Sequence, residues 1–132
     1  MFYFVLISVL FIIIIWIFLI IKFSKSRKLP ENKRQFFEKN YKKIYWSSDT
    51  KHQIIDLDKL YHKLLLEIWH KWTFGEILKT KPREIGDLNK IWELHKLRNK
   101  LVHDFDLLEE VILTKRVKEY KREFEQLLKR VS

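Results

Sequence analysis

The stretch LNKIWELHKLRNKLVH, residues 88 to 103, has the spacing of one helix that packs inside a bundle. Its apolar side chains recur every three or four residues and share one face: Leu88, Ile91, Leu94, Leu97 and Leu101. A polar row borders this stripe: His95, Arg98, Asn99 and His103. Side chains at the edge of an apolar stripe are partly buried unless they face a cleft or a partner, so this row needs hydrogen-bond partners or a ligand.

The rest of the chain after residue 30 predicts further helices. Only two glycines and two prolines interrupt 132 residues. Helices are predicted at 31–45, from a cap at Ser48 or Asp49 to about Trp69, briefly after a Thr73–Glu76 capping box, and at about 108–130. Residues 79–86 are predicted to be a loop, Asp87 a helix cap, and 104–106 a brief connection. The expected fold class is all-α, a transmembrane helix followed by a four- to five-helix up-and-down bundle.

Two of these helices carry most of the predicted core. The apolar spacing of the long helix selects Ile54, Leu57, Leu60, Tyr61, Leu64, Leu65 and Ile68. The heptad-like spacing of the last helix selects Leu113, Val117, Tyr120, Phe124, Leu127 and Val131. Asp58 and His62, four residues apart on the long helix, are interpreted as an exposed side-chain pair.

Residues 2–21 are predicted to be a membrane anchor. Twenty consecutive residues without a charge, in a helix that rises about 1.5 Å per residue, span the roughly 30 Å of a bilayer's hydrocarbon layer. No basic residue precedes this segment and no small-residue cleavage motif follows it, which disfavours a cleaved signal peptide. The remaining chain is too small to bury such a helix on all sides. We therefore expect a single-pass protein of the cell membrane.

The basic residues that follow the anchor predict its orientation. Between residues 22 and 43 the chain has nine basic and two acidic residues, and only Met1 lies on the other side. The positive-inside rule then places the C-terminal part in the cytoplasm. Six of these side chains are predicted to face anionic lipid: Lys22, Lys25, Arg27, Lys28, Lys33 and Arg34. The expected division is an anchor at 1–22, a basic juxtamembrane segment at 23–47 and a cytoplasmic bundle at 48–132.

The net charge of +10 is therefore weak evidence for nucleic-acid binding. Residues 47–132 contain eighteen basic and fifteen acidic residues, so the bundle itself is close to neutral. The sequence leaves open whether the 31–45 helix lies on the membrane or packs in the bundle. The chain has no cysteine, which excludes disulfides and thiolate metal sites.

The segment RNKLVH, Arg98 to His103, resembles the R-x4-H signature of HEPN domains, including their frequent Asn directly after the Arg. The layout from about Ile54 to Leu128 is also similar: a long helix, a short one, the motif helix and a closing helix. The longer stretch around HKLRN resembles small membrane-anchored bacterial proteins. The resemblance implies a bundle that dimerises and brings two motif helices together around a groove.

In catalytic HEPN proteins the Arg and His cleave RNA without a metal or another cofactor. Carried over to this chain, Arg98 holds the scissile phosphate and His103 is the general base or acid, while Asn99 and His95 support them. Some members have Tyr two residues after the His, and this chain has Phe105 there. The resemblance equally allows a non-catalytic dimerisation module that is tethered to the membrane and binds a protein partner.

Other motifs are weaker. Glu67 and His70 have the Glu-x-x-His spacing of di-iron bundles, but no second copy of this motif exists, so no metal site is predicted. Trp69, Trp72 and Trp92 could stack on bases, although their spacing is more typical of core residues.

Overall fold

The computed structural model describes residues 2–24, 28–69, 72–103 and 108–132, and within these ranges it contains six α-helices and no strand. The helices are α1 (Phe2–Ser24), α2 (Glu31–Tyr45), α3 (Thr50–Trp69), α4 (Phe74–Lys79), α5 (Leu88–His103) and α6 (Glu110–Val131). The all-α prediction is confirmed. The expected connection at 104–106 lies outside the described residues.

Helix α1 is long and apolar enough to cross a membrane over Tyr3–Ile20, and none of that segment is buried against the rest of the chain. Large apolar side chains are exposed from Tyr3 to Ile20. Exposure of this kind is unfavourable in water, because every large side chain there leaves apolar surface unburied. Helix α1 is therefore not a core helix of the bundle.

Helix α3 lies in the middle of the remaining five helices and contacts α2, α4, α5 and α6. Every core residue predicted for α3 and α6 is buried. Two rings from these helices, Tyr61 and Tyr120, lie next to each other at the centre of the core. The predicted caps are also present: Asp49 accepts the His52 N–H, Asp87 accepts the Lys90 N–H, and Thr73 forms a capping box with Glu76.

Helix α2 packs in the bundle. The Phe37 side chain is fully buried, and the Tyr41 ring stacks on Phe124 of α6. Just before α2, Leu29 is buried and its N–H donates to the Val131 carbonyl at the end of α6. The helical unit therefore begins before residue 48, where the sequence placed its boundary, because a single buried aromatic residue is hard to distinguish from an interfacial one by spacing alone.

The loop before α5 is held by the end of α6. Arg130 Nη1 donates to the Glu84 carbonyl over 2.8 Å. A Cβ atom at Gly86 would lie 2.6 Å from this guanidinium, so a larger residue at this position would displace the Arg130 side chain.

Candidate functional site

Three of the four polar residues predicted on α5 lie together, and the fourth does not join them. His95, Arg98 and Asn99 are half-buried and linked to one another by hydrogen bonds. His103 is the last residue of α5 and is exposed. It has no hydrogen bond or ion pair within the described part of the chain. The sequence predicted a single row of four, whereas the structure separates His103 from the other three.

The centre of the cluster is Asp58 of α3, which is only 4% exposed. Its Oδ1 accepts a hydrogen bond from the Tyr120 hydroxyl at 2.8 Å and lies 3.0 Å from His95 Nδ1. Its Oδ2 lies 3.6 Å from Arg98 Nε. One buried carboxylate thus contacts α5 and α6 at once. We call these five residues the Asp58 cluster: Asp58, His95, Arg98, Asn99 and Tyr120.

The hydrogen bonds of the Asp58 cluster have a consistent direction. Arg98 Nη1 donates to Asn99 Oδ1 at 2.9 Å, and Asn99 Nδ2 lies 3.4 Å from His95 Nε2. Since the amide nitrogen only donates, Nε2 must accept, and Nδ1 carries the proton that His95 donates to Asp58. Burial raises the pKa of Tyr120 well above its usual value, and the nearby Asp58 charge adds to the effect. Tyr120 therefore remains a neutral donor.

Arg98 is held but not fully enclosed. Its Nε is buried and has no hydrogen bond, since 3.6 Å to Asp58 is an ion-pair distance rather than a hydrogen-bond distance. About a quarter of the side chain, 26%, remains exposed. The guanidinium is thus oriented from the inside of the bundle by Asp58 and Asn99, while part of the Arg98 side chain remains exposed.

Aromatic rings surround the inner side of the cluster. The Phe74 ring meets the His95 ring edge-on, with 4.6 Å between the ring centres. The His62 ring stacks on Phe74, with 5.2 Å between the ring centres. The predicted exposed pair of Asp58 and His62 is wrong, because Asp58 is buried and contacts His95 instead.

The three tryptophans of the bundle differ in burial. Trp92 packs partly against the core as predicted, whereas Trp72 is exposed. The Trp69 side chain lies outside the described residues.

No group of three or more His, Cys, Asp or Glu side chains in the described ranges is arranged to hold a metal ion. Glu67 instead pairs with Lys33 at 3.0 Å, and His70 lies outside the described residues. Three surface grooves lie elsewhere on α2, α3, α5 and α6, and neither Arg98 nor His103 lines any of the three.

The basic flank is only partly described. Lys28 is exposed, but Lys33 pairs with Glu67, and Arg34 contacts both Glu31 and Glu38. The side chains of Lys22, Lys25 and Arg27 lie outside the description. Two of the six cations predicted to face lipid therefore already have acidic partners on the protein surface.

Sequence reasoning missed Asp58 and the polar role of Tyr120. The position of Asp58 could have indicated its burial, because it directly follows Leu57 and lies four residues after Ile54 on the apolar stripe of α3. A carboxylate at that place requires partners within the protein. Nothing in the spacing, however, shows which helices supply them.

A comparison with protein-family models, curated proteins and solved structures finds no match to this chain.

Proposed function

We propose that this chain is a membrane-anchored, HEPN-like helical protein in which two copies form a groove along α5 and cleave RNA there without a metal. The observation that carries the proposal is the fixation of Arg98 by Asp58 and Asn99 with a quarter of its side chain still exposed. A guanidinium that is oriented in advance can stabilise charge on a phosphate without reorganising during the reaction. The resemblance of RNKLVH to the R-x4-H signature supports the same role.

The roles in the reaction follow from these positions. Arg98 contacts the scissile phosphate, and His103 accepts the proton of the neighbouring 2′-hydroxyl. The 2′-oxygen then forms a bond to phosphorus while the bond from phosphorus to the 5′-oxygen breaks, and the leaving oxygen takes a proton from solvent. The products are a 2′,3′-cyclic phosphate and a 5′-hydroxyl end. Asn99 and His95 position Arg98 through the hydrogen bonds of the Asp58 cluster.

A second copy completes the site in this proposal. Arg98 and His103 are five residues apart on α5, which separates them by about 140° around the helix axis. Arg98 extends toward α3, whereas His103 is exposed at the end of α5. One phosphate contacts both groups most readily when Arg98 comes from one copy and His103 from the other.

The proposal places the bundle in the cytoplasm of a single-pass membrane protein. Helix α1 supports the anchor, and the excess of basic residues between 22 and 43 supports the orientation. A protease added to the outside of intact cells should leave a C-terminal reporter uncut, and should cut it after the membrane is opened. Cutting in intact cells would contradict the orientation.

The activity is tested with the full chain in detergent micelles, a fluorescently labelled single-stranded RNA and excess EDTA. The wild type should cleave this RNA and leave the matching DNA intact, because DNA has no 2′-hydroxyl. His103→Ala should slow cleavage by about a hundredfold or more. The matched control is His52→Ala on α3, an exposed histidine outside the Asp58 cluster, which should retain wild-type activity. Equal rates for the two variants would contradict the proposal.

A second function is favoured by the same cluster. In this second function, the hydrogen bonds of Asp58, His95, Asn99 and Arg98, which lie within one chain, have the sole role of joining α3, α5 and α6. The protein would then be a non-catalytic module that dimerises or binds a protein partner at the membrane. In that case no RNA is cleaved by the wild type, and Arg98→Ala lowers the fraction of dimer or of bound partner.

A further inference from the structure

The bundle is held close to the end of α1. Leu29 is joined to Val131 by a backbone hydrogen bond of 2.6 Å, and it follows the last residue of α1, Ser24, by only five positions. Five residues span at most about 17 Å when fully extended. If α1 crosses a bilayer, the bundle therefore cannot leave the membrane surface, and one of its faces lies near the lipid headgroups.

Helices α2 and α3 form an antiparallel pair with a groove along its outer side. Lys33 pairs with Glu67 near the anchored end, Lys63 lies over the Phe36 ring, and Gln53 donates to the Ile44 carbonyl near the turn. The groove holds about 360 Å³. We call it the α2–α3 groove, and its polar and aromatic lining residues are Phe36, Asn40, Lys43, Ser47, Asp56, Lys59 and Lys63.

Among three grooves on the described part of the bundle, the α2–α3 groove has the largest excess of positive charge. Its lining contains three lysines and one aspartate. The groove on α6 has three basic and two acidic residues, and the one on α5 has a single lysine and a single glutamate. Lys59 lies 3.6 Å from Asp56, whereas Lys43 and Lys63 have no acidic partner among the described residues.

Aromatic side chains accompany these lysines. Lys63 Nζ lies 4.4 Å from the centre of the half-exposed Phe36 ring. Trp46, at the turn between α2 and α3, is 82% exposed and directly precedes Ser47 in the groove lining. Lysine together with tryptophan or phenylalanine is the composition that protein surfaces have at a membrane interface.

We propose that the α2–α3 groove is a second membrane contact, which lies against the phosphate groups of anionic lipids while α1 spans the bilayer. Two of its cations, Lys59 and Lys63, lie outside the basic segment at 22–43, and Lys43 is the last basic residue of that segment. Lys33 and Arg34 have acidic partners on the protein, whereas Lys43 and Lys63 have none among the described residues. Each lysine near an anionic surface strengthens binding about fivefold, so these two lysines together contribute roughly twenty-five-fold. The proposal rests on the membrane anchor of the proposed function and is independent of RNA cleavage.

The test uses the absence of cysteine from the chain, which lets one introduced cysteine be labelled specifically. Asn40→Cys in the groove and Lys96→Cys on α5 are each labelled with a polarity-sensitive fluorophore, and the full chain is incorporated into vesicles. Adding phosphatidylglycerol to phosphatidylcholine vesicles should shift the emission of the label at residue 40 to shorter wavelength and leave that at residue 96 unchanged. High salt should reverse the shift.

Matched charge variants complete the experiment. Replacing Lys43, Lys59 and Lys63 with Gln should abolish the shift. Replacing Lys115, Lys118 and Arg122 with Gln changes the net charge equally in the α6 groove and should preserve it. The proposal is overturned if the emission at residue 40 does not shift, or if the α6 variant abolishes the shift as completely as the α2–α3 variant. It is also overturned if RNA causes the shift in neutral vesicles and anionic lipid does not. Failure of the chain to float with the vesicles would instead overturn the anchor itself.

Discussion

Replacing Asp58 with Asn should destabilise the bundle more than any other change of a single charge on α3. Asn keeps the shape of the side chain, and its Oδ1 can still accept from the Tyr120 hydroxyl and from His95, but both hydrogen bonds then go to a neutral oxygen instead of a carboxylate. The substitution also removes the charge that pairs with Arg98, because an NH2 group takes the place of Oδ2, 3.6 Å from Arg98 Nε. A buried cation then faces a donor instead of an anion.

The magnitude follows from these contacts. A hydrogen bond to a charged group contributes about 1.5 to 3 kcal/mol and one between neutral groups about 0.5 to 1.5 kcal/mol, so each of the two bonds to Oδ1 loses about 1 kcal/mol. The ion pair with the partly exposed Arg98 adds at most about 1 kcal/mol after screening by solvent. We expect Asp58→Asn to lower the free energy of unfolding by roughly 3 kcal/mol, out of about 5 to 15 kcal/mol for a typical domain. In a domain of this size the melting temperature should fall by about 10 to 20 °C.

The assay is urea unfolding of the full chain in nonionic detergent, followed by circular dichroism at 222 nm. The matched control is Asp56→Asn, two residues away on α3, where the carboxylate is exposed and lies 3.6 Å from Lys59. A surface pair of this kind should change the free energy of unfolding by about 0.5 kcal/mol or less. If the two variants lose equal stability, Asp58 does not hold the cluster as argued and the orientation of Arg98 has another cause.

Three further changes test the packing around the site. If α2 belongs to the bundle, Phe37→Ala should lower the free energy of unfolding by about 3 to 5 kcal/mol. Phe36→Ala, at the half-exposed neighbour, should lower it by less than about 1 kcal/mol. Equal small losses for both variants in urea unfolding would contradict the packing of α2 in the core. Gly86→Ala should lower the free energy of unfolding by about 1 kcal/mol, because the new Cβ displaces the Arg130 guanidinium. Gly75→Ala should leave it unchanged or stabilise α4 slightly, because a Cβ there lies 3.7 Å from the nearest atom of Trp92. Burial raises the pKa of Glu123, with the Asp87 charge adding to this effect. The folded state therefore binds that proton more tightly than the unfolded state, so the stability of the wild type relative to Glu123→Gln should be highest at low pH and fall as the pH rises through the folded pKa of Glu123. A difference between these two proteins that does not depend on pH would contradict the raised pKa.

The sequence predicted the helices well because each depends on local features. Apolar spacing on α3 and α6 identified their buried faces, and Asp49, Thr73 and Asp87 identified three helix starts through side-chain caps. Contacts between distant segments could not be predicted in this way. Asp58 had the right spacing to be seen as buried, but its three partners come from α5 and α6, up to sixty-two positions away. The separation of His103 from the cluster likewise depends on which positions of α5 meet a partner on α3 or α6, and the spacing along α5 does not show this.

The α2 helix shows the same limit on a smaller scale. Its aromatic and basic residues are typical both of a membrane-surface helix and of a bundle helix. Only the contacts of Phe37 with the core and of Tyr41 with Phe124 distinguish the two. Both descriptions can hold for one helix, because Phe36, Asn40 and Lys43 line an open groove beside the buried Phe37.

The most direct test of the shared groove mixes two inactive variants, Arg98→Ala and His103→Ala, in equal amounts under conditions where subunits exchange. In random exchange half of the dimers contain one copy of each, and each mixed dimer keeps one intact site, so cleavage of RNA in EDTA should return to about a quarter of the wild-type rate. Neither variant alone should exceed about one hundredth of that rate. A mixture that stays as inactive as its components, after exchange has been verified with labelled subunits, would contradict an active site built from two copies of this chain.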